Sequence, residues 1–308
     1  MEKRFLLHMM TPTRNVSPFD VNMAYDAGYD AITSYTEVTL AEVAGLTQDA
    51  IFSRGPKGVK RTGIFIGGRE IGMAADMLDA ARNSMVPPFE VSVFADPSGA
   101  FTTAAAMVAS VERQLKEHHK RDLQGCKVLI LGGTGPVGLA AAVLASSSGS
   151  DVMVASHTSV NRAQVAAETA NARYGADTKA ADASSSEQKT QLLKDVDVIM
   201  ATAKAGVQVL SASELAGAAR LLVAADINAV PPAGIEGVGL MDNGNAVAAG
   251  SGKAIGIGAL AIGNVKYQVQ RGLLERMLEA DEPLYLDFRD AFVAAREYVG
   301  VIDRRTGK

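Results

Sequence analysis

Lys127-Val128-Leu129-Ile130-Leu131-Gly132-Gly133-Thr134-Gly135-Pro136-Val137-Gly138 decides the fold of this chain. A short apolar run comes first, and Gly133, Gly135 and Gly138 then stand at the spacing G-x-G-x-x-G. An Ala-rich segment, Leu139 to Ala145, follows at once. Buried-type strand, glycine turn and helix, in that order, form the context in which this motif binds a dinucleotide. Gly133 is expected to allow the tight turn, Gly135 to let a pyrophosphate approach the backbone, and Gly138 to let helix and strand pack closely. Pro136 gives up an amide that has no helical partner. The remaining amides, including those of Thr134 and Val137, and the positive end of the helix suit phosphate. A ligand-free turn is the alternative, but a helix start rarely needs three glycines at these spacings.

The next strand narrows the choice of dinucleotide. Asp151 to Ser156 ends in a hydroxyl, where NAD-specific domains usually carry an acid on the ribose. His157, Thr158 and Ser159 follow, with Arg162 on the next helix, so hydroxyls and a cation could accept a 2′-phosphate. Both NADP and NAD are therefore expected. Thr202, Ala203 and Lys204 end one later strand, and Asn228 follows another. Ligands of open parallel sheets bind at such strand ends. Ordinary turn chemistry accounts for each of these residues equally well.

Outward from that centre, β-branched apolar runs alternate with Ala-rich helical stretches, which means βα units and a mostly parallel sheet. Before it come Phe5–Met10, Ala31–Tyr35, Gly63–Gly67 and Glu90–Ala95 as strands. Helices are expected from Ser17-Pro18-Phe19-Asp20, from the capping box Thr39-Leu40-Ala41-Glu42, and over Arg69–Ser84 and Thr102–His119. After it come a helix over Asn161–Tyr174, strands at Asp197–Thr202 and Leu221–Ile227, and a last strand at Ala246–Ala249. Ala180–Glu187 reads as a loop. From Gly258 to Glu279, Ile262, Val265, Val269, Leu273 and Met277 recur three or four apart on one helical face. The fold class is α/β: a Rossmann-type domain over 122–257 and a smaller N-terminal α/β domain over 1–121. Helices from 258–308 complete the smaller domain, and long helices join the two.

Composition removes other classes. The 308 residues carry 30 Lys and Arg against 34 Asp and Glu, a net charge of −4, which argues against nucleic-acid binding by bulk positive charge. One cysteine, Cys126, forbids an internal disulfide, and the four histidines show no metal-ligand spacing, so no metal is expected. No apolar run approaches the roughly 18–20 residues that span a bilayer, and the N-terminal apolar stretch is too short for a signal peptide. A cytoplasmic protein without a membrane partner is expected.

Other blocks are more specific than the glycine turn. They are Phe19-Asp20-Val21 with Tyr25-Asp26-Ala27-Gly28; Ile64-Phe65-Ile66-Gly67-Gly68; Asp96 and Gly99 with Thr102-Thr103-Ala104-Ala105-Ala106; Ala225-Asp226-Ile227-Asn228-Ala229-Val230-Pro231-Pro232 with Gly234 and Ile235; and Gly258-Ala259-Leu260-Ala261-Ile262-Gly263 with Lys266. Together with the turn they resemble the bacterial NAD(P)-dependent methylene-tetrahydromethanopterin dehydrogenases. The resemblance covers nearly the whole chain and is weakest over about 160–195 and after about 285.

It implies oxidation of a methylene to a methenyl pterin in one-carbon metabolism, with hydride passing to NADP or NAD and tetrahydromethanopterin as carrier substrate. Hydride leaves a carbon flanked by two nitrogens that share the product's positive charge. No metal and no strong base are needed; the protein has to align two rings. Lys266 matches the family's active-site lysine and would orient the pterin. Asp20 matches an acid that would hold the pterin or offset its charge; alternatively it is the acid of a capping box with Ser17. Phe19 could stack on the pterin or pack in the core. Thr102 and Thr103 could bond substrate or cap their helix. The run Ser53–Arg61, with four cations, is either a docking patch for an acidic substrate tail or a solvated turn. Lys266 and Asp20 would converge in a cleft between the domains. The resemblance also implies a homo-oligomer, with a trimer as one option.

Three alternatives stay open. A tetrahydrofolate enzyme of the dehydrogenase/cyclohydrolase kind would carry Tyr-x-x-x-Lys, but Tyr25, Tyr29 and Tyr35 are followed at that distance by Tyr29, Thr33 and Thr39. Dehydrogenase activity on that pterin, without cyclohydrolase activity, remains. A shikimate-dehydrogenase-like enzyme would need a proton-transfer residue. A non-catalytic NAD(P)-binding sensor would bind the dinucleotide without turnover.

Overall fold

The structure is a computed structural model that describes residues 3–303. The first part of the chain runs β1 (Leu6–Met10), α1 (Pro18–Asp26), β2 (Ala31–Tyr35), α2 (Leu40–Phe52), α3 (Pro56–Val59), β3 (Thr62–Ile66), α4 (Ile71–Asn83), β4 (Ser92–Ala95) and α5 (Ala100–Gln114). A wider helical turn, Leu115–His119, ends α5. Then come β5 (Lys127–Leu131), α6 (Pro136–Ser147), β6 (Asp151–Ser156), α7 (Val160–Tyr174), β7 (Thr178–Asp182), α8 (Ser186–Leu193), β8 (Val198–Ala201), α9 (Ala212–Leu215) and β9 (Val223–Asp226). The chain closes with β10 (Asn243–Ala246), β11 (Ile255–Ile257), α10 (Ala259–Glu279), β12 (Tyr285–Leu286) and α11 (Phe288–Tyr298).

Two compact units result. One takes the described residues up to Thr102 together with Tyr267–Ala294; the other takes Thr103–Lys266 and the described residues from Ala295 onward. The divisions fall inside α5, α10 and α11.

The first unit is built on a five-stranded sheet in the order β12-β4-β3-β1-β2, with every pairing parallel. Its core strands read as continuous apolar runs because helices cover both faces of such a sheet. Ile64, Ile66, Val93 and Phe94 are fully buried, and Phe65 meets Phe94 edge-on at 5.5 Å. Thr39 starts α2 as expected: Glu42 accepts hydrogen bonds from both its amide and its hydroxyl. No such box forms at α1, where the Ser17 side chain makes no capping bond.

The second unit has a seven-stranded sheet in the order β10-β11-β9-β8-β5-β6-β7. All pairings are parallel except that of the edge strand β10 with β11. Strands β7-β6-β5-β8-β9 have the doubly wound order, with the chain switching sides at β5. Leu129, Ile199, Leu215, Leu221 and Ala224 belong to one buried cluster on this sheet.

Three expectations change. Ala180–Glu187 is not a loop: Thr178–Asp182 is a strand and Ser186–Leu193 a helix. An edge strand with only Thr178 and Ala181 buried lacks the apolar run that marks a central one. The last strand is not Ala246–Ala249; its place is taken by β10 ending at Ala246 and by β11. The basic run Ser53–Arg61 contains the short helix α3. Residues 304–308 of the expected C-terminal segment lie outside the described residues.

Candidate functional site

In the second unit the glycine turn leaves the carboxyl end of β5 and enters α6 at the switch point of the sheet. Gly135 is the N-cap and Pro136 the first helical residue. The left-handed position of the turn is Gly132, at φ +81°. A Cβ on Gly132 would lie 2.7 Å from the Ala203 nitrogen, so the loop after β8 presses on the turn. Gly133 faces β6: a Cβ there would meet Val154 Cγ1 at 2.7 Å. On Gly138 it would meet the Gly133 Cα at 2.6 Å and Thr202 Oγ1 at 2.6 Å. Gly135 differs from these three. Its backbone is extended, and a Cβ would find only the Gly132 oxygen, at 3.4 Å. The protein's own packing does not require a glycine there. A phosphate approaching the backbone does. The first-turn amides of α6 have no carbonyl within the helix, so the residues present fit a dinucleotide's pyrophosphate.

The predicted companions divide into loop builders and exposed groups. Ser156 is buried, and its hydroxyl accepts from the Thr158 and Ser159 amides at 3.2 and 3.4 Å. Ser159 in turn caps α7 through the Arg162 amide. His157, Thr158 and Arg162 are exposed beside this turn. Asp182 pairs in register with Ser156 from β7, an acid at the strand end that was missed because its strand was read as a loop. Hydrogen bonds from Ser184 and Gln188 hold its carboxyl below the usual carboxylate range. Thr202 is buried with its hydroxyl donating to the Leu131 carbonyl at 3.1 Å; Ala203 is half-buried and Lys204 exposed. Asn228 is a fastener: its Oδ1 accepts from the Gly206 and Val230 amides, and its Nδ2 donates to the Pro232 carbonyl at 2.7 Å. It thereby ties the loop after β8 to the loop after β9. Asp226, beside it, accepts from the Asn228 and Ile235 amides, and burial pushes its carboxyl up. Lys266 is half-buried on α10.

In the first unit a cavity of about 500 Å³ opens at the carboxyl ends of β1 and β3. It is lined by Met10, Thr11, Asn15, Asp20, Gly67 and Ser98 among others, with exposed Arg14 and Arg69 on its wall. In an open parallel sheet this end is where ligands bind. Asp20 is 4% exposed and accepts a hydrogen bond from Gln270 Nε2 at 2.8 Å. Phe19 is 41% exposed, so it is not a core phenylalanine. Ser98 holds a left-handed backbone, φ 53°, uncommon for a residue with a side chain, and its hydroxyl donates to the Gly68 carbonyl at 2.7 Å. Thr102 is fully buried and donates to Asp96 Oδ2 at 2.6 Å, so its hydroxyl serves the helix start; Thr103 is half-buried. The basic run turns elsewhere. Arg54 donates to the Arg61 and Arg4 carbonyls, Lys60 to the Asp281 carbonyl, and Arg61 lies over Phe5 at 4.5 Å. These groups sit where β1 and β3 begin, at the opposite end from the cavity, which favours the structural reading of that run.

Residues 18–98 match the family model described as methylene-tetrahydromethanopterin dehydrogenase, N-terminal. An NAD(P)-dependent methylenetetrahydromethanopterin dehydrogenase of Methylorubrum extorquens is 49% identical over 297 residues, which is 96% of this chain and 99% of that protein. This chain belongs to that dehydrogenase family. A second protein of the same organism, bifunctional protein MdtA, is 30% identical over the same shares of both chains, 96% and 99%. Among solved structures, shikimate 5-dehydrogenase from Listeria monocytogenes, in complex with shikimate and NAD, superposes with a TM-score of 0.53 over 97% of this chain and 96% of its own. At 13% identity that likeness is one of fold, and a shared fold leaves the substrate of the dehydrogenase open. Among the described residues no cluster of three or more His, Cys, Asp or Glu could hold a metal ion, and no helix is long and apolar enough to cross a membrane.

Proposed function

We propose that this chain oxidises methylenetetrahydromethanopterin to the methenyl form, with NADP or NAD as oxidant. The observation that carries the reading is the 49% identity to the named dehydrogenase along 99% of that protein's length. The second unit holds the dinucleotide: the α6 amides and the open face of Gly135 take the pyrophosphate. His157, Thr158 and Arg162 take the ribose end. Asn228 and Thr202 shape the two strand-end loops beside it. When bound, the dinucleotide accepts the hydride.

The first unit holds the pterin in the cavity beside Asp20. Its carboxylate offers the only kind of side chain that can both accept from the ring's N–H groups and offset the positive charge that develops as hydride leaves. Phe19, exposed next to it, stacks on the ring, and Arg14 and Arg69 favour a ligand with an acidic portion. Lys266 orients the substrate by hydrogen bonding; its own charge has the sign of the product cation and does not stabilise it. The protein works in the cytoplasm as a homo-oligomer.

Absorbance at the NAD(P)H band tests the reading. Purified protein is mixed with methylenetetrahydromethanopterin or methylenetetrahydrofolate, each with NADP and with NAD. Reduction with the methanopterin substrate is expected. Reduction with neither pterin overturns the proposal and leaves a dinucleotide-binding protein.

A further inference from the structure

The apolar stripe of α10 has a polar residue buried beside it. Gln270 is 0% exposed, next in sequence to buried Val269 and one turn before buried Leu273 and Leu274. A buried amide costs free energy unless its groups are bonded, and leucine would fill such a place without that demand. Its side chain instead reaches across 250 positions of sequence to donate from Nε2 to Asp20 Oδ1 at 2.8 Å, in a buried contact. Asp20 is itself 4% exposed and lies on the wall of the cavity at the ends of β1 and β3. Ser17, the residue that would have made Asp20 part of a helix cap, makes no capping bond.

We infer that Gln270 is a positioning residue: its amide fixes the Asp20 carboxylate at the cavity wall in the orientation that receives the substrate. The inference rests on the function proposed above and names a residue through which that site is built. An amide N–H suits this task because it presents one directed donor to one carboxylate oxygen and adds no charge. A lysine there would neutralise the carboxylate; an apolar residue would take this donor away from Asp20 Oδ1. Directed bonds of this kind hold reacting groups within the narrow tolerance that orientation demands.

The test is a double-mutant cycle on kcat/KM with methylenetetrahydromethanopterin and NADP, using Gln270→Met, Asp20→Ala and the double variant. Gln270→Met is expected to lower kcat/KM at least tenfold in the wild-type background and less than twofold in the Asp20→Ala background. The Kd for NADP, measured by direct titration, should stay within twofold. Losses of equal size in both backgrounds, or no loss from either single variant, overturn the inference. Gln270→Glu, nearly the same shape, covers the case in which the methionine variant does not fold. Two carboxylates in contact share a proton readily as pH falls, and the protonated partner is again a donor. Its turnover relative to wild type should therefore recover severalfold between pH 8 and pH 5.5. A ratio constant with pH overturns the inference. Wild-type protein that reduces no dinucleotide with this pterin defeats the proposed function itself, a result distinct from an active wild type with an indifferent Gln270.

Discussion

Gly135 and Gly138 stand three residues apart, and the geometry predicts opposite consequences for replacing them. At Gly138 an added Cβ would lie 2.6 Å from the Gly133 Cα and 2.7 Å from the Gly132 carbonyl oxygen, both backbone atoms. Overpacking of that kind costs about 1–3 kcal/mol, and fixed backbone neighbours put this site at or above the upper end. Replacing a helical glycine by alanine returns about 1 kcal/mol. Gly138→Ala should therefore destabilise the second unit by about 2 kcal/mol, a fall of about 4–8 °C in melting temperature for a unit of this size. At Gly135 the backbone is extended and the nearest obstacle is 3.4 Å away. Serine is a good N-cap, so Gly135→Ser should stay within about 0.5 kcal/mol of wild type. What it should lose is dinucleotide affinity, at least tenfold or about 1.4 kcal/mol, because its side chain stands where the pyrophosphate comes in. Thermal melts without ligand and titration with NADP measure the two effects separately. If Gly135→Ser binds NADP as wild type does, the phosphate site is not at this turn. If Gly138→Ala melts with wild type, the close approach of α6 to β5 is wrong.

Lys266→Ala should lower turnover at least tenfold while the Kd for NADP stays within twofold; normal turnover would make it an ordinary helix residue. Asn228→Ala removes three hydrogen bonds, one joining the loop after β8 to the loop after β9 and two within the latter, so melting temperature and NADP affinity should fall together, with a stability loss of about 1–3 kcal/mol. A drop in affinity at unchanged melting temperature would make Asn228 a direct ligand instead. His8, in the middle of β1 and 3.1 Å from the Tyr35 hydroxyl, has its imidazole pushed below its ordinary 6.5 by burial and then by the Arg54 charge. The folded protein thus binds fewer protons than the unfolded chain just below pH 6.5, and stability should fall as pH drops through that window. The stability difference between wild type and His8→Gln should shrink from pH 7 to pH 5; parallel melting curves would refute this.

The central β5–turn–α6 unit was legible because three local signals agree there: apolar run, glycine spacing and Ala-rich helix. The parallel strands of both units followed from continuous apolar runs. β7 was not legible, since an edge strand carrying Lys179 and Asp182 and running into an Ala/Ser-rich stretch reads as a loop until its pairing with β6 is known. Motif position, not backbone angle, is what sequence shows: the left-handed angle belongs to Gly132, outside the G-x-G-x-x-G positions, where the loop after β8 comes within a Cβ's reach.

The candidate site shows where residue type stops being informative. Ser156, Thr202 and Asn228 are the polar types that bind dinucleotides at strand ends, and at strand ends they stand. Yet the same types build tight turns: Ser156 and Asn228 spend hydrogen bonds within their own loops, and the Thr202 hydroxyl donates to the end of neighbouring β5. Asp20 offers the converse. Its spacing from Ser17 satisfies a capping box, but the box does not form, because the carboxylate is buried with a partner 250 positions away. Spacing along a chain reports local alternatives only. Which alternative wins depends on whether a distant group competes, and the signal for that competitor was present: a glutamine beside the apolar stripe of α10, in a place where a helix packed only for stability would carry leucine. A polar residue out of pattern is thus the better guide to a site than a polar residue in a motif. The motif residue can be satisfied locally, while the out-of-pattern residue requires a partner that only the fold supplies.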